Sequence, residues 1–206
     1  MSEELNCGTQ KKEQILDKNF WNERWENEET GWDIGYTSPA IEKYMLQFPN
    51  KEARILIPGC GNAHEADFLT ENGFQNITIL DISPFAVDIL QKRFSEKPQI
   101  KVICEDFFQH VGTYDLMIEQ TFFCAIPPIE RTEYVKKSAE LLSEKGKIIG
   151  LLFNKTFEKK GPPFGGSAGE YHFLFKKYFK IETMEECYNS IPARQGTELF
   201  INFNKK

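Results

Sequence analysis

The sequence predicts an α/β chain whose seven-stranded, mostly parallel sheet carries helices on both faces and closes in an antiparallel hairpin. Three observations predict it. Short apolar runs alternate with segments of helical period. The first run, 55–57, stops abruptly at Pro58-Gly59-Cys60-Gly61, and a helical pattern (Ala63, Ala66, Phe68, Leu69) follows as far as Asn72-Gly73. The next run, 77–80, ends on Asp81, about 20 positions past the glycine turn.

This spacing points to a ligand. The glycines let backbone approach a bound molecule, and a carboxylate at the end of the second strand suits a ribose diol. A nucleoside-containing cofactor at the carboxyl edge of the sheet is therefore expected. A dinucleotide is disfavoured. Where its fingerprint wants a third small residue the chain has His64, and the helix opens with Glu65 and Asp67, which would repel a pyrophosphate. S-adenosylmethionine (SAM) has no phosphate and carries a sulfonium cation, so it tolerates those acids.

The remaining elements follow in order. Residues 1–16 are polar, either loosely ordered or a frayed helix. Asp17 can cap a helix bearing Phe20, Trp21 and Trp25, with Gly31 as its stop and Trp32-Asp33-Ile34-Gly35 beyond it. All three tryptophans thus fall within 12 residues, outside the sheet. They either pack as ordinary core or form a lid whose rings cover a flat or cationic ligand. Ser38-Pro39 opens a second short helix. This divides the chain into 1–16, a helical lid at 17–49 and a SAM-binding domain at 50–206.

Ser83-Pro84 starts the helix after Asp81, and 100–104 is a third strand running into Glu105-Asp106-Phe107. Asp106 is either a turn cap or an acceptor for an adenine amino group, with Phe107 on the ring. Residues 114–120 form a fourth strand, entering Thr121-Phe122-Phe123-Cys124-Ala125-Ile126 at the cofactor edge. Helix 129–142, a turn at 143–146 and strand 147–153 follow. The Gly/Pro-rich stretch 155–169 is either an active-site loop or a linker. A helix over 169–178 and strands 179–188 and 199–204 complete the chain.

Composition narrows the function. With 40 % hydrophobic and 14 % aromatic residues the chain can bury a real core, and 18 Phe suit an apolar pocket. A formal net charge of -6, with no basic patch, argues against a nucleic-acid partner. Five Cys without a Cys-x-x-Cys pair fit a reducing, cytoplasmic compartment, and no metal site is expected. No 18-residue apolar run or secretory signal is visible, so no membrane partner is expected. A monomer is the default.

Taken in order, Phe20-Trp21-x-x-x-Trp25, Gly31-Trp32-Asp33-x-Gly35, Pro58-Gly59-Cys60-Gly61, Leu80-Asp81-Ile82-Ser83, Glu105-Asp106, Phe122-Phe123-Cys124-Ala125-Ile126, Pro128 with Arg131, Gly161-Pro162-Pro163 and Ile191-Pro192-x-Arg194-x-Gly196 form a pattern. It resembles the thiopurine S-methyltransferase family, most closely its plant and bacterial thiol and halide methyltransferase branch. The resemblance implies a class I SAM-dependent methyltransferase (Rossmann-like) fold with an N-terminal lid. It implies cofactor contacts at Trp21, Trp25, Trp32, Gly59, Asp81, Asp106 and Phe107; Gln120, ending the fourth strand, joins them as a candidate. Plant halide-using members carry Tyr where this chain has Gln120 and Phe153, so halide use is not implied.

The function expected is methyl transfer from SAM to a small soft nucleophile: a thiol, hydrosulfide or aromatic thiol. A non-catalytic SAM-binding module is the alternative. Phe123, Phe153, Phe164, Arg131 and Arg194 are candidates for the acceptor pocket. No catalytic acid or base is expected, because His64, His110 and His172 share no motif.

Overall fold

In-and-out alternation within the short strands builds two apolar layers around one sheet. In the fourth strand, Leu116 and Ile118 pack with Ile41, Ile55, Leu69 and Leu90, while Met117 faces Tyr134, Phe175 and Phe203 on the other side. The computed structural model describes residues 15–159 and 161–206. The expectation for 1–16 lies, apart from its last residues, outside the described residues.

The elements are α1 (Lys18–Glu26), α2 (Pro39–Leu46), β1 (Arg54–Pro58), α3 (His64–Glu71), β2 (Asn76–Asp81), α4 (Pro84–Arg93), β3 (Ile100–Cys104), β4 (Tyr114–Gln120), α5 (Arg131–Leu141), β5 (Leu142–Phe153), α6 (Ala168–Phe175), β6 (Phe179–Glu186) and β7 (Glu198–Lys205). The strand order is β3-β2-β1-β4-β5-β7-β6. Pairings are parallel through β5; β7 is antiparallel to both β5 and β6. Chain order reverses between β1 and β4, so the sheet's crevice opens at their carboxyl ends, beyond Pro58 and Gln120.

Local chemistry sets most boundaries. Asp17 caps α1 by accepting from the Phe20 N–H at 3.0 Å. Ser83 and Ser167 cap α4 and α6 in the same way. Gly31 does not end α1. The helix stops at Glu26, and Glu28, at φ 58°, turns the chain in the left-handed conformation. Residues 143–146 are no free turn but lie within β5. Tyr114 pairs with Leu142, and the next partner of β4, Leu116, pairs with Lys147, so the extra residues form a bulge in a continuous strand. A short 3₁₀ turn, Pro128–Glu130, precedes α5.

The aromatic arm and α2 behave differently. Ile41 and Met45 of α2 are fully buried, and α2 packs on α3 and β5, so α2 is part of the core rather than of a lid. Helix α1 instead lies across α4 and is tied there by Asn22. Its Oδ1 accepts from the Ser83 hydroxyl and the Phe85 N–H, both at 3.0 Å. Asn22→Ala removes both bonds at a half-exposed site. It is expected to shift the melting temperature little while weakening S-adenosylhomocysteine binding by about 3–10-fold. Thermal melts and titration calorimetry on the same variant check this.

Candidate active site

The carboxyl ends of the parallel strands open into one large cavity of about 1310 Å³. Its floor is the turn after β1. Gly59 and Gly61 both adopt φ 54°, the left-handed region that glycine enters without strain. At Gly59 a second constraint applies. A Cβ there would come within 2.2 Å of the Phe122 ring, so Gly59 makes room for the loop after β4. At Gly61 the nearest atom is the Trp32 indole nitrogen, 3.6 Å from the Cβ position.

Asp81, at the end of β2, lines this cavity and is 8 % exposed. Its Oδ2 accepts from the Gly61 N–H at 3.2 Å and its Oδ1 from the Ser83 N–H at 2.9 Å. Burial raises its pKa, and these backbone donors oppose the rise. A carboxylate has about four lone-pair sites, so capacity remains for two further donors. Asp106 also lines the cavity. Its Oδ1 accepts from the Phe108 N–H at 2.9 Å, so the turn-cap role is real, and its second oxygen is not needed for it.

The three tryptophans all line the cavity, and Trp32 is their hub. It meets Trp21 and Trp25 edge-on, with centroids 5.6 and 5.8 Å apart. Polar contacts hold the hub in place. Asp33 binds the Asn62 amide and His64 Nε2 (2.8 Å), and accepts from the Gly35 N–H. Burial raises the Asp33 pKa, but these bonds outweigh it and leave the carboxyl below its ordinary value. From the far side, Arg194 donates to the Trp32 carbonyl at 3.0 Å.

Among the acceptor-pocket candidates, Phe153 and Arg194 line the cavity, with the guanidinium 5.4 Å from the Phe153 ring centroid. Arg194 is already paired with buried Glu198 at 3.3 Å. The other three stand behind the wall. Phe123 is 1 % exposed and packs on Tyr134, Tyr171 and Phe175. Arg131 is equally buried. It pairs with Glu170 at 2.6 Å and donates to the Phe164 and Gly165 carbonyls, so it anchors the 155–166 loop instead of meeting an anion. Phe164 ties that loop to Cys124 through its N–H, while Pro162 and Pro163 face the cavity.

Of the cofactor candidates, Phe107 lines the cavity, but its ring is 4 % exposed and stacks on Tyr134. Gln120 lies outside it, beside a small 40 Å³ pocket under Trp32, and its buried Oε1 has no partner. The sequence reading missed Asn22, Cys124 and Glu119. Glu119 left a signal: a carboxylate directly after the apolar run Leu116-Met117-Ile118.

None of the three histidines lines the large cavity. His110 is held between Glu105 and Tyr114, each at 2.7 Å. Burial pushes the Cys124 thiol up to about 12, so it stays protonated. The glycine turn, the acid ending β2 and a cavity at the switch point define a class I SAM-dependent methyltransferase.

The family description of thiopurine S-methyltransferase matches residues 16–202, and the chain belongs to that family. It is 33 % identical over 184 residues to a probable thiol methyltransferase 2 of Arabidopsis thaliana, covering 86 % of this chain and 81 % of the relative. It is 30 % identical over 189 residues to thiocyanate methyltransferase 1 of the same plant, covering 89 % and 83 %. The fold matches that of SAM-bound magnesium protoporphyrin IX methyltransferase from Synechocystis PCC 6803 with a TM-score of 0.72 at 14 % identity, over 95 % of this chain and 100 % of that one.

The residues fit SAM: acids and aromatic rings face the cavity, and both glycines clear its floor. Asp81→Ala is expected to weaken SAM binding by about 30-fold or more, from the loss of two hydrogen bonds to a charged acceptor. Calorimetry checks this, with melting curves confirming a folded variant. The tryptophans should also become less accessible when S-adenosylhomocysteine binds. Acrylamide quenching of their fluorescence should fall; unchanged quenching would remove the lid reading.

Proposed function

We propose that this methyltransferase acts on a small soft nucleophile, a thiol, hydrosulfide or aromatic thiol, by in-line displacement. The observation that carries this reading is the wall beside the cofactor edge. Phe122, Phe153 and Phe157 line it, no histidine does, and among the described residues its thiol, Cys124, is held neutral. The plant relatives named as thiol and thiocyanate methyltransferases support the same chemistry. Family membership disfavours a non-catalytic module.

In this reading Asp81 holds the ribose hydroxyls, Asp106 and Phe107 hold the adenine, and Trp21, Trp25 and Trp32 cover the cationic end. Bound there, SAM supplies an electrophilic methyl group on a sulfonium. Charge is dispersed as an anion approaches that cation, so an apolar wall disfavours the separated charges more than the transition state. A thiol of ordinary pKa, about 8.5, already has some thiolate at neutral pH, so no dedicated base is required. The chain's work is alignment and exclusion of water. Arg194, paired with Glu198 and bonded to the Trp32 carbonyl, links the acceptor wall to the arm.

The negative net charge supports a small-molecule rather than a nucleic-acid acceptor. Among the described residues no helix is long and apolar enough to cross a membrane. We read the protein as a cytoplasmic monomer in which the aromatic arm precedes the sheet domain.

Across a series of thiols, kcat/KM should rise with pH along each acceptor's own thiol pKa. His64→Ala and His172→Ala should change the rate far less than the ~10²–10⁴-fold expected of a lost general base. A profile fixed at one enzyme pKa for every thiol and abolished in one histidine variant would overturn the mechanism.

A further inference from the structure

Glu119 is completely buried at the carboxyl end of β4 and plays no part in the chemistry above. Its Oε1 accepts from two consecutive backbone amides, Phe122 at 2.9 Å and Phe123 at 2.8 Å. Its Oε2 accepts from the Tyr134 hydroxyl at 2.6 Å. Those amides directly follow a reversal at Thr121, a β-branched residue at φ 60°. Such a conformation persists only when its surroundings impose it. The Glu119 carboxyl bonds both amides that follow it.

The base of Glu119 is fixed as well. Gly150 lies opposite it in β5, where a Cβ would come within 1.9 Å of the Glu119 carbonyl oxygen, so the two strands abut. What the reversal delivers is functional geometry. Phe122 is seated over Gly59, and Cys124 and Ala125 enter the cavity wall.

We infer that Glu119 is a positioning residue that holds the 121–125 loop so that the acceptor wall stays aligned with the cofactor turn. This rests on the proposed reading of the wall that carries Phe122 and Cys124 as the acceptor side. The loop needs the acceptor oxygen rather than the charge. Burial raises the Glu119 carboxyl to about 7, so neutral and ionised forms coexist near neutrality, and both keep an oxygen facing the two amides.

Two variants separate these requirements. Glu119→Gln keeps Oε1 and offers an N–H to the Tyr134 oxygen. Glu119→Met keeps the volume but removes the acceptor, leaving two buried amides unpaired. Hydrogen exchange of the 119–126 segment, S-adenosylhomocysteine affinity and kcat/KM with an aromatic thiol are measured for both. For Glu119→Gln, protection and rate should stay within about threefold of the parent, and cofactor affinity within about fivefold for either variant. Glu119→Met should exchange faster in that segment and lose about 30-fold or more in kcat/KM.

A Glu119→Met protein with a loosened loop but the parent rate overturns the inference. So does a Glu119→Gln protein as slow as Glu119→Met. Should Glu119→Met not fold, Glu119→Gln decides alone: retained rate supports the inference and a 30-fold loss overturns it. Should the parent turn over no thiol, the proposed acceptor class fails instead. Exchange then decides, and equal protection in parent and Glu119→Met removes the positioning role.

Discussion

The aromatic ring of Phe122 occupies the space that any side chain at Gly59 would fill. This contact joins the two strands between which the chain order reverses. The turn after β1 supplies the cavity floor, and the loop after β4 supplies part of its wall. A Cβ at Gly59 would displace the ring and strain a backbone already at positive φ. The ring also packs edge-on against Phe107, 5.2 Å away, which carries the constraint to the end of β3. Three strand ends are thus set relative to one another through a single side chain.

The aromatic arm depends on that floor. Trp32 meets the Gly61 turn, and the neighbouring Asp33 grips Asn62 and His64 on the turn's far side. Asn22 binds α1 to the start of α4, and Arg194 reaches the Trp32 carbonyl from the β6–β7 connection. These are polar contacts at partly exposed positions, not core packing. Contacts of this kind open at lower free energy than the sheet beneath them.

Much of the fold was legible because its signals are local. An apolar run ending at a glycine turn, an acid closing the next strand, and Ser-Pro or Asp caps at helix starts each reflect chemistry within a few residues. The limits of this reading appear where a distant partner decides. Strand β5 continues through 143–146 because β4 offers it a bulged partner. Helix α2, contiguous in sequence with the arm, is claimed by the core because its buried Ile41 and Met45 pack on the side where α3 and β5 meet it.

Of the cofactor candidates named from the sequence, Gly59, Asp81, Asp106, Phe107 and the three tryptophans line the crevice, and Gln120 does not. The tertiary structure decided how the remaining candidates are used. Arg131 and Phe123 read as pocket residues from their position in a loop motif, yet both point behind the wall, because Glu170 and the Phe164–Gly165 carbonyls come from a segment more than 30 residues away. Glu119 carries no motif of its own in the sequence, and in the fold it is the acceptor for two loop amides. A side chain's partner across the fold cannot be read from its neighbours in the chain, and for a buried charge that partner sets the role.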